Sequence, residues 1–204
     1  MKARGMTRAI LIAGAAVTLG SLTARAQTVT FSTTGVFSGG GCTATNCAFD
    51  GFTMSFTPVG SDTFLSGSLV DLGSFVTQCV SCTLGSIQSF PSGVLFTLTI
   101  NQTNPSGGTG SFVGSVSGTV SFNPSFSSLV WMPSPNNLNI GLTNYALVLD
   151  NTGNFNIEAP IASQNPNATV VKAFVTTTPE PSSMALMATG IVGLVPVMRR
   201  RRRA

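Results

Sequence analysis

The chain contains no histidine. That removes Ser-His-Asp and Cys-His nucleophilic machinery and every zinc site built on imidazole. It also removes a common general base, so any catalytic reading is left with carboxylates. Tryptophan and tyrosine occur once each, as Trp131 and Tyr145, which leaves little for an aromatic platform of the kind that holds sugars. Charge is scarce as well, at 8% of 204 residues. Of the ten basic residues, Lys2, Arg4, Arg8 and Arg25 lie near one end and five arginines near the other, which leaves Lys172 alone between them. Against it stand Asp50, Asp62, Asp71, Asp150 and Glu158, so residues 27–178 carry one positive and five negative charges, a balance of −4. The formal +4 of the whole chain belongs to its ends. Without a basic footprint in the body, a nucleic-acid partner is not expected.

What remains is a middle rich in Ser, Thr, Gly and Asn, with phenylalanine as the main aromatic. Its length is that of one domain with a real core. Lysine and glutamate, which support exposed helices, are nearly missing there, whereas Thr, Val and Phe suit pleated surfaces. Val94, Phe96, Leu98 and Ile100 alternate with Leu95, Thr97, Thr99 and Asn101, and Phe112, Gly114, Val116, Gly118, Val120 and Phe122 alternate with Ser115, Ser117, Thr119 and Ser121. The turn cluster Asn104 to Gly110 between them predicts a long hairpin. Further strands are expected at 28–37, 49–57, 63–71, 144–149, 155–158 and 169–175, with turns at 39–41, 58–62, 133–137, 151–153 and 165–167. The fold class is therefore all-β, a β-sandwich. Helix is expected only in the two terminal segments.

The N-terminal segment reads as a secretory signal peptide. Lys2, Arg4 and Arg8 precede an apolar run from Ala9 to Gly20, and Ala24-Arg25-Ala26 is a small-x-small cleavage site before Gln27. The alternative, an uncleaved membrane helix, suffers from the shortness of that run. At the other end, Met184 to Val197 is interrupted by one hydroxyl, Thr189, and is followed by Arg199, Arg200, Arg201, Arg202 and Arg203. A helix from Met184 to Met198 spans about 22 Å at ~1.5 Å per residue, short against a hydrocarbon core of about 30 Å. Gly190, Gly193 and Pro196 weaken it further. The arginines resist translocation and set the residues before Met184 outside. Pro179 and Pro181 bracket Glu180 and enforce an extended backbone that a protease cleft can accept. A plain tail anchor with a stop-transfer cluster is the alternative reading of the span and arginines.

The order of Pro179-Glu180-Pro181-Ser182-Ser183, apolar span and arginine cluster resembles the tail of PEP-CTERM proteins, the class handled by exosortase. The resemblance covers about an eighth of the chain. It implies export through the inner membrane of a Gram-negative bacterium that makes exopolysaccharide, with only transient residence in that membrane. It also implies recognition at Pro179, Glu180 and Pro181, cleavage near them, and delivery to the cell surface or beyond. Signal peptidase and exosortase are then the processing partners. The chain divides into a signal peptide (1–26), an ectodomain (27–175) and a sorting signal (176–204) that includes a very short linker.

Four cysteines form two sequence pairs, Cys42 with Cys47 and Cys79 with Cys82. A thiolate metal site or a redox pair is one reading. An exported protein favours structural disulfides, and nothing after Cys82 reads as the helix that tunes a redox thiol. Local pairing is slightly favoured over crossed pairing, although crossed bridges would close loops of about 30 to 40 residues, worth about 3–4 kcal/mol each.

Among the carboxylates, Asp62 and Asp71 are expected at opposite strand ends. Asp150 and Glu158 flank the 151–153 turn of an expected hairpin and so could approach the separation of about 5–10 Å that a glycosidase requires. Asp150, Thr152, Asn154 and Asn156 also alternate oxygen atoms as a calcium loop would, without its acidic density or distal glutamate. Turn chemistry is the stronger reading of those residues. Trp131 is expected near a strand end and partly exposed, with core packing as its commoner role. The function expected is therefore a non-catalytic, structural surface or matrix protein needing no cofactor or metal. Its rivals are a carbohydrate-binding adhesin that grips exopolysaccharide through Trp131 and the Asp150 loop, and a matrix-polymer hydrolase using the carboxylate pair.

Overall fold

A computed structural model describes residues 27–83, 87–123 and 127–178. Thirteen strands run in chain order: β1 (Thr28–Ser38), β2 (Asn46–Phe49), β3 (Phe52–Pro58), β4 (Asp62–Leu65), β5 (Ser68–Cys79), β6 (Ile87–Ser89), β7 (Leu95–Asn104), β8 (Gly108–Ser121), β9 (Ser128–Ser134), β10 (Asn137–Ile140), β11 (Thr143–Leu147), β12 (Phe155–Ile157) and β13 (Asn167–Thr177). The described residues hold no helix. Two antiparallel sheets result. The first has the order β12-β9-β8-β7-β1-β4, with β6 beside the far part of β8. The second has the order β10-β11-β13-β5-β3-β2.

Period-two alternation decides which side chains meet between the sheets. Phe96, Leu98 and Ile100 of β7 and Phe112 and Val116 of β8 point inward and are fully or almost fully buried. The β7–β8 hairpin has the expected turn and pairs Leu95 with Ser115 through Gln102 with Gly108. From the second sheet come Phe52, Met54 and Phe56 of β3, Phe75 of β5, Tyr145 of β11, and Val171, Ala173 and Val175 of β13.

The centre of the core is aromatic. Phe75 and Phe96, from opposite sheets, have ring centroids 4.6 Å apart. Phe37 and Phe56 lie 4.8 and 4.9 Å from Phe96, and Trp131 lies 5.3 Å from it, edge-on. Two glycines make room for this cluster. A Cβ on Gly35 would sit 2.2 Å from the Phe56 ring, and one on Gly73, at φ +126°, would sit 2.4 Å from the same ring. Thr33 adds a polar clip, since its buried hydroxyl donates to Leu72 O at 2.9 Å and accepts from Val59 N at 2.8 Å.

Several sequence-level strand assignments need correction. The stretch 63–71 is two strands in different sheets, broken by the Ser66-Gly67 turn, where Gly67 adopts φ +87°. β5 continues to Cys79. Between Val171 and Lys172 its partner register jumps from Gly73 to Asp71, so Leu72 is a bulge. The bulge moves the inward set from Val70 and Leu72 to Phe75 and Thr77, which breaks the alternation that sequence reading follows. The expected strand at 49–57 is a hairpin, β2 and β3, turning at Asp50-Gly51. β6, β9 and β10 were not anticipated.

Replacing Phe96 by alanine removes the ring that touches both sheets. The expected cost is about 3–5 kcal/mol, read as a lower urea midpoint with an unchanged slope.

Candidate functional site

The residues that carry the expected sorting chemistry, Pro179, Glu180, Pro181 and Arg199 to Arg203, lie outside the described residues, as do Ala24 and Ala26 of the expected cleavage site. The structure does show the two places where the folded body meets those segments. β13 ends at Thr177, so the expected linker at 176–178 is largely strand. Thr178 N donates to Leu142 O at 2.9 Å, which pins the chain at the residue before Pro179. Thr177 N and Thr177 Oγ1 both donate to Ser66 Oγ, at 2.8 and 2.9 Å. The backbone N–H of the same Ser66 donates to Gln27 O at 2.8 Å. Ser66 therefore holds the first residue of the expected mature chain and the last strand residue before the tail. Nothing local in the sequence marks it, because both contacts are long-range.

The cysteines form Cys42–Cys47 and Cys79–Cys82, the local pairing. The first closes the loop between β1 and β2, and Cys47 is itself buried in the core. The second closes the end of β5. There Asn165 acts as a strand substitute: its Oδ1 accepts from Cys79 N and its Nδ2 donates to Cys79 O, both at 2.9 Å.

The Asp150–Glu158 hairpin is not formed. β11 before the turn belongs to one sheet and β12 after it to the other, so the segment is a crossover. Asp150 is an organiser of that turn. Its Oδ1 accepts from Thr152 Oγ1 at 2.6 Å, Thr152 N at 2.8 Å and Asn154 N at 2.9 Å, and its Oδ2 accepts from Asn156 Nδ2 at 3.1 Å. The Thr152 hydroxyl first, then the backbone donors, hold the Asp150 carboxyl down at about 2. This favours the anion and opposes a role as general acid. The oxygen row at 150–156 is spent on internal turn bonds. Asp62 and Asp71 likewise fall in different sheets; Asp62 accepts from Thr63 N, and Asp71 is in register with Lys172.

Trp131 lies in the middle of β9 and is 0% exposed, which corrects the expected strand-end, partly exposed position and bears out core packing as its role. Leu129 and Trp131 face inward together, and packing against Phe75, Phe96 and Phe155 takes up the indole. Tyr145 is 0% exposed as well. Its hydroxyl donates to Gln102 Oε1 at 2.7 Å, while Gln102 Nε2 donates to Ser106 O at 2.8 Å. Burial pushes the phenol above its ordinary value. Gln102 shares the inward parity of Phe96, Leu98 and Ile100, the one sequence signal that could have placed it inside.

A surface recess of about 510 Å³ lies where β9, β12 and the start of β13 meet. Asn156, Glu158, Gln164 and Asn167 contribute its polar groups. Asn167 Nδ2 donates to Ala159 O at 2.9 Å, and its buried Oδ1 has no hydrogen-bond partner. Among the described residues that line this recess, Glu158 is the one carboxylate.

Residues 177–203 match the family model of the PEP-CTERM protein-sorting motif. The match begins at the last residue of β13 and spans Pro179, Glu180, Pro181 and the five arginines. It implies export, processing by exosortase and a destination at the cell surface or outside the cell. No curated protein and no solved structure matches the chain.

Two expectations follow from these local features. Replacing Cys42 and Cys47 together by alanine should cost about 2 kcal/mol by lost loop closure, lowering the melting temperature by about 4–8 °C. For Asp150, the folded value lies below the ordinary carboxylate value of about 4, so its stabilisation is full above pH ~4 and is lost as pH falls towards about 2. The Asp150→Asn variant should lose stability less steeply than the native chain over that interval in acid titrations followed by circular dichroism.

Proposed function

We propose that this protein is a non-catalytic, structural component of the cell surface or of the exopolysaccharide matrix, delivered there by exosortase. The observation that carries the reading is the sorting motif at 177–203, joined without slack to a folded β-sandwich. In this reading Pro179, Glu180 and Pro181 are the recognition triplet. The Met184–Val197 span holds the precursor in the inner membrane for a limited time, and Arg199 to Arg203 fix its orientation. Signal peptidase releases the other end between Ala26 and Gln27.

The body supports a structural role. It has no histidine. Asp150 is committed to a turn, and the single Trp and the single Tyr, Trp131 and Tyr145, are sealed in the core. Short edge strands, two local disulfides and a hydroxyl-rich surface suit a component that must persist outside the cell without associating edge to edge.

Intact mass spectrometry of the protein from surface and medium fractions of its own host tests this. The expected species begins at Gln27, ends near Pro179 to Pro181 and is four mass units lighter than its reduced form, two per disulfide. A species that retains Arg199 to Arg203 in the inner-membrane fraction would overturn the exosortase reading and leave a tail-anchored protein.

A further inference from the structure

The described residues place the beginning and the end of the exported domain on one pole. Ser66 N bonds Gln27 O, Ser66 Oγ takes two bonds from Thr177, and Gly67 N donates to Val175 O at 2.7 Å. The Asn104 side-chain amide donates to Thr28 O, which brings the β7–β8 turn to the same place. Thr178 N reaches Leu142 O and so adds the β10–β11 turn. Close termini are common in domains. Here a single serine ties both, at a pole whose described side chains carry no charge. Residues 27–28, 65–67, 103–108, 140–143 and 177–178 include no Asp, Glu, Lys or Arg. Leu65 and Leu142 stand out from this pole, 54% and 39% exposed.

Chain length then limits how far the pole can sit from the bilayer. Thr178 is pinned, and the apolar span read from the sequence begins at Met184. Six residue steps reach about 20 Å at full stretch. We infer that this pole, with Leu65 and Leu142 at its tip, is a lipid-contacting surface on which the precursor stands while its tail is still in the membrane. The inference rests on the membrane-held precursor of the preceding section. Electrostatics favour this pole over the rest of the domain. The body carries −4, and anionic lipid repels its other surfaces, whereas the pole presents hydroxyls, amides, two leucines and the α-ammonium of a chain that begins at Gln27. The surface would also keep the 179–181 segment at the bilayer interface, where a membrane protease works.

The test uses the chain from Gln27 to Ala204 in liposomes of phosphatidylethanolamine and phosphatidylglycerol. All native cysteines are paired, so one introduced cysteine can carry a fluorophore. Leu65→Cys and Leu142→Cys mark the pole. Ser92→Cys, exposed beside the Gly39 turn, marks the opposite end of β1, about 35 Å away. A spin-labelled lipid serves as quencher. The expected result is loss of most fluorescence at both pole positions and little loss at Ser92. Equal quenching at all three positions, in protein that floats with the liposomes, overturns this inference alone. Protein that does not float with them overturns the membrane-held reading and this inference with it.

Discussion

The fold depends on the contact between Phe75 and Phe96. Each ring comes from the middle of its own sheet, and their centroids are 4.6 Å apart. Phe37, Phe56, Trp131 and Phe155 close around them. A chain with one lysine and five acids between residues 27 and 178 has almost no ion pairs to recruit, and surface pairs contribute little in any case. Apolar burial must therefore supply most of the stabilisation, and large aromatic rings supply it densely. The need for close approach explains Gly35 and Gly73. Either side of the Phe56 ring is occupied by backbone that has no Cβ to offer. The bulge at Leu72–Gly73 belongs to the same constraint, since it turns Phe75 inward after Val70 and Leu72 have already faced the core.

Low charge creates a second problem, because charged edge residues are a usual defence against strand-to-strand association. Here the outermost strands, β12, β4, β10 and β2, are three or four residues long. Where β1 runs beyond β4, loops take over the exposed edge: Thr33 N bonds Val59 O and Phe37 N bonds Ala44 O. The Cys42–Cys47 bridge holds the loop that contains Ala44. The disulfide and the edge protection are thus one device, which gives a local bridge a purpose that its small loop would not suggest.

The hairpin of β7 and β8 is legible because its alternation is unbroken from Phe96 to Ile100 and its turn residues are clustered. Much of the rest was hidden for physical reasons. Reading along the chain treats neighbouring strands as pairing partners, yet the chain changes sheet after β1, β3, β4, β5, β9, β11 and β12. The Asp150 turn was recognised as a turn, but the strands it joins lie in different sheets, so the carboxylate pair imagined across it disappears. β9 is obscured by its own composition: Leu129 to Met132 is continuously apolar and shows no alternation, and the prolines after it read as an end although the strand runs through Pro133 to Ser134. Trp131 then looked like a residue at the margin, while in space it lies at the centre. The sorting motif was legible for the opposite reason. Its chemistry is linear, and three features in order along the chain suffice to recognise it.

Ser66 marks the boundary between those two kinds of information. As a residue in a Ser-Gly turn it is unremarked in the sequence, and its role arises only when β1, β4 and β13 are assembled. The consequence is mechanical as well as topological. β13 is an interior strand, paired with β5 on one side and β11 on the other. Freeing the chain upstream of Pro179 requires both ladders to open, whereas an edge strand would peel from one. The sorting signal is therefore attached to one of the most firmly held strands in the domain. Backbone bonds hold the chain as far as Thr178, so the fold sets the point from which the sorting signal departs.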